Sequence, residues 1–114
     1  MVLIGTGSEL SIAVQAQDKL AGQGVRARVV SLPCWELFAA QSREYRDDVI
    51  PPAVTARVSI EAAVTFGWQR WVGDRGVSIG VDRYGASAPW KTIYKELGLT
   101  ADHLASAAQS LLQR

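Results

Sequence analysis

The chain has 114 residues, 48% hydrophobic and 20% charged, with a net charge of +1 and one cysteine. That describes a single soluble globular domain, 1–114, and it excludes an intrachain disulfide framework, a cysteine-built zinc site and the basic footprint that nucleic acid requires. No apolar run nears the roughly 18 residues of a membrane helix and no basic region precedes the first apolar run, so neither a membrane span nor a signal peptide is expected, and a cytoplasmic setting fits.

The chain opens almost inside a strand, Val2 to Gly5, with only Met1 ahead of it, an abrupt start expected of a fragment of something longer. A helical pattern follows from about Ser8 to Ala21, with Leu10, Ile12, Ala13, Val14, Ala16, Leu20 and Ala21 as its apolar stripe and Gly22 and Gly24 as its stop. "VRARVVSL", 25 to 32, alternates and then turns apolar, which predicts a second strand with Arg26 and Arg28 facing outward. Pro33 opens a short helix through Cys34, Trp35, Leu37 and Phe38, and Ser42 caps another from Arg43 to Val49, ended by Pro51-Pro52.

A third strand is expected over 56 to 63, with Val58 and Ile60 on one face, and a helix over 65 to 76 between Gly67 and Gly76. "VSIGVD", 77 to 82, is the fourth strand, and a helix from Ser87 to Gly98 follows. The last segment carries Leu104, Ala107, Ala108, Leu111 and Leu112 on one helical face, capped by Thr100. Strands alternating with helices imply right-handed crossovers and a three-layer α/β/α fold on a mostly parallel sheet. The purely apolar first strand belongs in the middle and the arginine-bearing second at an edge, so the expected order is 2-1-3-4. The topological switch point then lies between strands 1 and 3, near Gly5 to Ser8 and Glu61.

"GTGSEL" has the start of a dinucleotide fingerprint without its completion. Leu10 stands at the third glycine position, and no acid follows the second strand at Ser31-Leu32-Pro33. Thr6 and Glu9 instead match a capping box, in which the Thr6 hydroxyl accepts from the Glu9 amide and the Glu9 side chain reaches back. A structural turn is therefore preferred to a phosphate site. The candidate ligand crevice is formed by Thr6, Gly7, Ser8, Glu61 and Asp82, with the two acids at the C-terminal ends of strands where such sheets hold ligands. An ion-pair network of Glu61, Asp82 and Arg83 is the preferred alternative.

His103, the one histidine, is expected at the surface, and Cys34 reads as a small buried hydrophobe rather than a reactive thiol. No catalytic, cofactor-binding or metal-binding residues are assigned. Four tryptophans are unusual for this length; Trp68 and Trp71, with Phe66 and Val72, make a helix apolar all round. Such a helix wants partners on several sides, so Phe66, Trp68, Trp71 and Val72 are the candidate interface, with at least one tryptophan facing another domain or subunit.

Taken together, "LIGTGSEL", "VRARVVSLPCWELFAAQSREYRDDVIPP", "ARVSIEAA", "FGWQRWVG" and "GVDRYGASAPWKTIYKELGLT" resemble, in order and spacing, the C-terminal domain of transketolase. The resemblance implies a parent enzyme that transfers a two-carbon ketol unit between sugar phosphates, with thiamine diphosphate and Mg2+ or Ca2+ held in other domains. It implies no cofactor in this fragment, an accessory role in contact with the other domains and the dimer mate, and a preceding antiparallel first strand that is not in this chain. The alternatives are a regulatory small-molecule module at the strand C-terminal edge, or the equivalent domain of deoxyxylulose-phosphate synthase or a 2-oxoacid dehydrogenase.

Overall fold

Among the described residues, four short strands form a parallel sheet in the order β2-β1-β3-β4, as the patterning implies: β1 (Val2–Gly5), β2 (Arg28–Ser31), β3 (Arg57–Ile60) and β4 (Val77–Ile79). The computed structural model describes residues 1–61, 67–80 and 99–112, without the side chain of Ser8. Every residue of β1 is buried, because it lies between β2 and β3; Leu3 sits level with Val29 on one side and Val58 on the other. β2 lies at the edge, with Arg28 exposed and its Nη1 donating to the carbonyl of Asp48 at 2.6 Å.

The alternation of side chains across β1 and β3 divides the core in two. Leu3, Val58 and Ile60 face one layer, made by α1 (Leu10–Gly22) and the final helix α5 (Ala101–Leu112). Val2, Ile4 and Val30 face the other, made by α2 (Trp35–Ala39), α3 (Arg43–Val49) and α4 (Gln69–Val72). Full burial of a side chain such as Leu3 or Ile60 contributes roughly 1.5–3 kcal/mol, and both faces of the sheet collect several such residues.

The expected caps at Ser42 and Thr100 are present: Ser42 Oγ accepts from the Tyr45 amide at 3.2 Å and Thr100 Oγ1 from the His103 amide at 3.1 Å. Other boundaries move. β2 starts at Arg28 rather than Val25, and the described part of the 65–76 helix is one turn, Gln69–Val72, closed at Gly73 rather than Gly76. The stripe on α5 is Ala101, Leu104, Ala105, Ala108 and Leu111, so Leu112 stands 45% exposed instead of packing inward. Val14 and Ala21 of the expected α1 stripe are exposed too, and Ala13, Ala16 and Leu20 carry that face. The expected helix from Ser87 to Gly98, Trp90 within it, and the ends of the third and fourth predicted strands lie outside the described residues.

Candidate functional site

The C-terminal ends of β1 and β3 bring Thr6 and Glu61 together. The Thr6 hydroxyl donates to Glu61 Oε2 at 2.6 Å, a short bond to a carboxylate of the stronger, charge-assisted kind. The Glu61 amide donates to the carbonyl of Ile79, which holds its backbone against β4. Its second oxygen, Oε1, accepts from the indole Nε1 of Trp68 at 3.4 Å. Trp68 is 1% exposed and meets the edge of the Trp35 ring at 5.1 Å between centroids. The switch-point crevice is thus lined by a carboxylate whose two oxygens are both engaged by the chain's own donors.

This arrangement corrects the capping box. Thr6 makes no side-chain cap bond; the Glu9 amide donates to the Thr6 carbonyl at 3.1 Å and begins a 3-10 turn, Gly7–Glu9, that leads into α1. The Glu9 amide is taken by the Thr6 carbonyl, and the Thr6 hydroxyl turns its O–H to the Glu61 carboxylate instead. The glycine at position 5 has a packing reason of its own. A Cβ there would lie 3.0 Å from Leu10 Cα, so Gly5 lets the start of α1 close onto the end of β1. Gly7 is exposed with φ +55°, and Asp82 and the Ser8 side chain lie outside the described residues.

Among the described residues, Glu61 is held by a hydroxyl and an indole; Asp82 and Arg83 of the expected ion-pair network lie outside the described residues. His103 is exposed, as expected. Cys34 is half-buried rather than buried, and its thiol donates to Glu36 Oε2 at 3.3 Å. Among the described residues, no three His, Cys, Asp or Glu side chains gather to hold a metal ion, and no helix is long and apolar enough to cross a membrane.

Three of the four candidate interface residues turn inward. Trp68 is 1%, Trp71 7% and Val72 4% exposed, all within the α2–α4 side of the core, and Phe66 lies outside the described residues. Trp71 packs against Phe38 at 5.2 Å and Trp35 at 6.3 Å between ring centroids. The apolar girth of this helix is therefore taken up largely by the chain itself. Sequence reasoning missed an exposed patch among the described residues: Leu37 is 67% and Tyr45 52% exposed, lining one groove with Pro33 and Gln41 beside the end of edge strand β2. The signal was present in Leu37, an apolar residue in a five-residue helix too short to bury its whole circumference.

Arg57, at the first position of β3, was also missed. Its guanidinium donates to the carbonyls of Val54 (2.8 Å), Trp71 (2.9 Å) and Pro51 (2.9 Å), tying the loop after α3 and the end of α4 to the sheet. Burial pulls its pKa below the ordinary arginine value, because desolvation disfavours the charged form.

Residues 1–100 match the family model for the transketolase-like TK C-terminal domain. The chain is 57% identical over 111 residues to the chloroplastic transketolase of Solanum tuberosum, covering 97% of this chain and 15% of that protein. It is 46% identical to the transketolase of Geobacillus stearothermophilus, covering 97% of this chain and 17% of that one. The solved transketolase of Leishmania mexicana superposes with a TM-score of 0.91 at 42% identity, covering 99% of this chain and 16% of that one. The chain spans about a sixth of the length of these relatives.

Proposed function

Because the chain belongs to the transketolase C-terminal domain family, we propose that it is the accessory domain of a transketolase subunit, structural rather than catalytic by itself. The observation that carries this reading is the match along nearly all of this chain to about a sixth of each relative. In the whole enzyme, a two-carbon ketol unit passes between ketose and aldose phosphates, with thiamine diphosphate and a divalent metal supplying the chemistry from other domains.

The crevice supports that division of labour. A diphosphate seeks N–H donors, whereas the described crevice presents the Glu61 carboxylate with its acceptors already bonded to Thr6 and Trp68. The residues do not fit thiamine diphosphate, and no step of ketol transfer is assigned to them. A regulatory ligand using Thr6, Gly7, Ser8, Glu61 and Asp82 would first have to displace that internal bonding. The domain instead offers other parts of its subunit and the dimer mate an apolar surface. Leu37 and Tyr45 lie at its centre, exposed beside an edge strand. Relatives named as chloroplastic widen the compartments to consider; a cytoplasmic setting for this protein is our reading, to be checked by fractionation.

The purified 114-residue chain should show no ketol transfer with thiamine diphosphate and Mg2+ present, in a coupled assay that detects the whole enzyme. Deleting the chain from its transketolase polypeptide should weaken the dimer in analytical ultracentrifugation. Ketol transfer by the chain alone would overturn the reading, as would a truncated enzyme with undiminished dimer affinity.

A further inference from the structure

At the opposite end of the sheet from the Thr6–Glu61 crevice, where β3 begins, a cleft of about 420 Å3 is lined by Arg43, Arg46, Asp47, Arg57, Arg70 and Trp71. Among the described residues, four guanidinium groups share it with one carboxylate. Asp47 Oδ2 lies 3.7 Å from Arg43 Nε in an exposed pair, too loose to neutralise the others. Two N–H donors on lining residues, Arg46 Nε and Trp71 Nε1, are buried and have no hydrogen-bond partner. Both lie beneath the cleft surface, where a ligand oxygen cannot touch them as the side chains stand; the exposed guanidinium groups of Arg43 and Arg70 are the donors that a ligand would meet first. Arg57 uses three of its five N–H donors on carbonyls, which holds its guanidinium rigid and leaves two free of those bonds. Arg70 lies 4.7 Å over the Trp71 ring and holds the indole in place.

We propose that this cleft is a binding site for the phosphate group of a small molecule. The donors come from three elements, α3, β3 and α4, and so approach from several directions. A tetrahedral dianion has acceptor oxygens for all of them, whereas a planar carboxylate has two oxygens in one plane and a single charge. The volume lies within the roughly 300–1,000 Å3 of small-molecule sites. The inference does not depend on the domain's role in its enzyme, since it rests on a different set of residues at the other end of the sheet.

Isothermal titration with inorganic phosphate and with glycerol 3-phosphate tests it, on the chain alone and within its transketolase polypeptide, at ionic strength matched with potassium chloride. Saturable binding is expected. Arg46→Gln and Arg70→Gln should each weaken it about tenfold or more, the loss of one charge-assisted bond, while Arg26→Gln, which lies outside the cleft, leaves it unchanged. Arg70 is exposed, so its variant should keep the fold; circular dichroism of both variants checks this. The ratio of the two affinities tells whether the free ion or an ester is preferred. The proposal is overturned by no heat beyond the chloride control, by acetate binding equally well, or by binding that survives both variants. Binding to the isolated chain that vanishes in the longer polypeptide would also overturn it, since a protein carboxylate would then fill the cleft.

Discussion

The carboxylate of Glu61 accepts from Thr6 and Trp68, two donors carried by different parts of the chain. Thr6 is 8% and Trp68 1% exposed, so neither donor has ready access to water if the acceptor is removed. Glu61→Ala should therefore destabilise the chain by about 2 kcal/mol, mostly by leaving the Thr6 hydroxyl buried without a partner. Thr6→Val removes that hydroxyl at nearly constant shape. In urea denaturation the double variant should be less destabilised than the sum of the singles, with a coupling of about 1–2 kcal/mol. Additive losses would mean that the 2.6 Å contact carries no net stability. Sequence reading could place both residues at strand ends, because β1 and β3 end where their apolar runs end. It could not pair them, because the hydroxyl had an equally good local use in the capping box at Glu9.

At the scale of elements, α4 shows how a helix end is chosen between two glycines. Gly73 has φ +79° and ψ −179°, a region open in practice only to glycine, and its amide donates to the Gln69 carbonyl at 2.8 Å to close the turn. No atom lies within 4 Å of where a Cβ would stand, so Gly73→Ala is a pure backbone test. It should cost roughly 1–3 kcal/mol, seen as a lower thermal midpoint with the α4 aromatic contacts kept. A smaller loss would mean that the turn relaxes. From sequence, Gly76 was as good a stop as Gly73, since composition alone carries no φ angle. The α5 stripe shows a similar limit. Periodicity located the helix, but Ala101 and Ala105 rather than Leu112 face α1 and the sheet, because packing selected the smaller side chains there.

Across the whole molecule, Trp68 and Trp71 close the α2–α4 layer from within, while Leu37 and Tyr45 stand exposed beside it, the face proposed above to meet the rest of the enzyme. Leu37→Asp should leave the unfolding free energy of the isolated chain within about 0.5 kcal/mol of its unsubstituted value in urea denaturation, as expected for an exposed position. In the transketolase polypeptide it should weaken domain or dimer association in ultracentrifugation. Unchanged association would remove this face from the proposed interface. The parallel order β2-β1-β3-β4, the two capped helices and the sides taken by Val58 and Ile60 were all legible in the amino-acid sequence. They follow from local rules: alternation along a strand, a side-chain oxygen ahead of a helix, and the crossover that a parallel pair requires. What only the tertiary structure decided were meetings between residues far apart in the chain. It brought Thr6 to Glu61, turned Trp68 and Trp71 inward, and gathered Arg43, Arg46, Arg57 and Arg70 around one cleft. Those meetings depend on how layers approach and which side chain fills each gap, and no local periodicity records that distance.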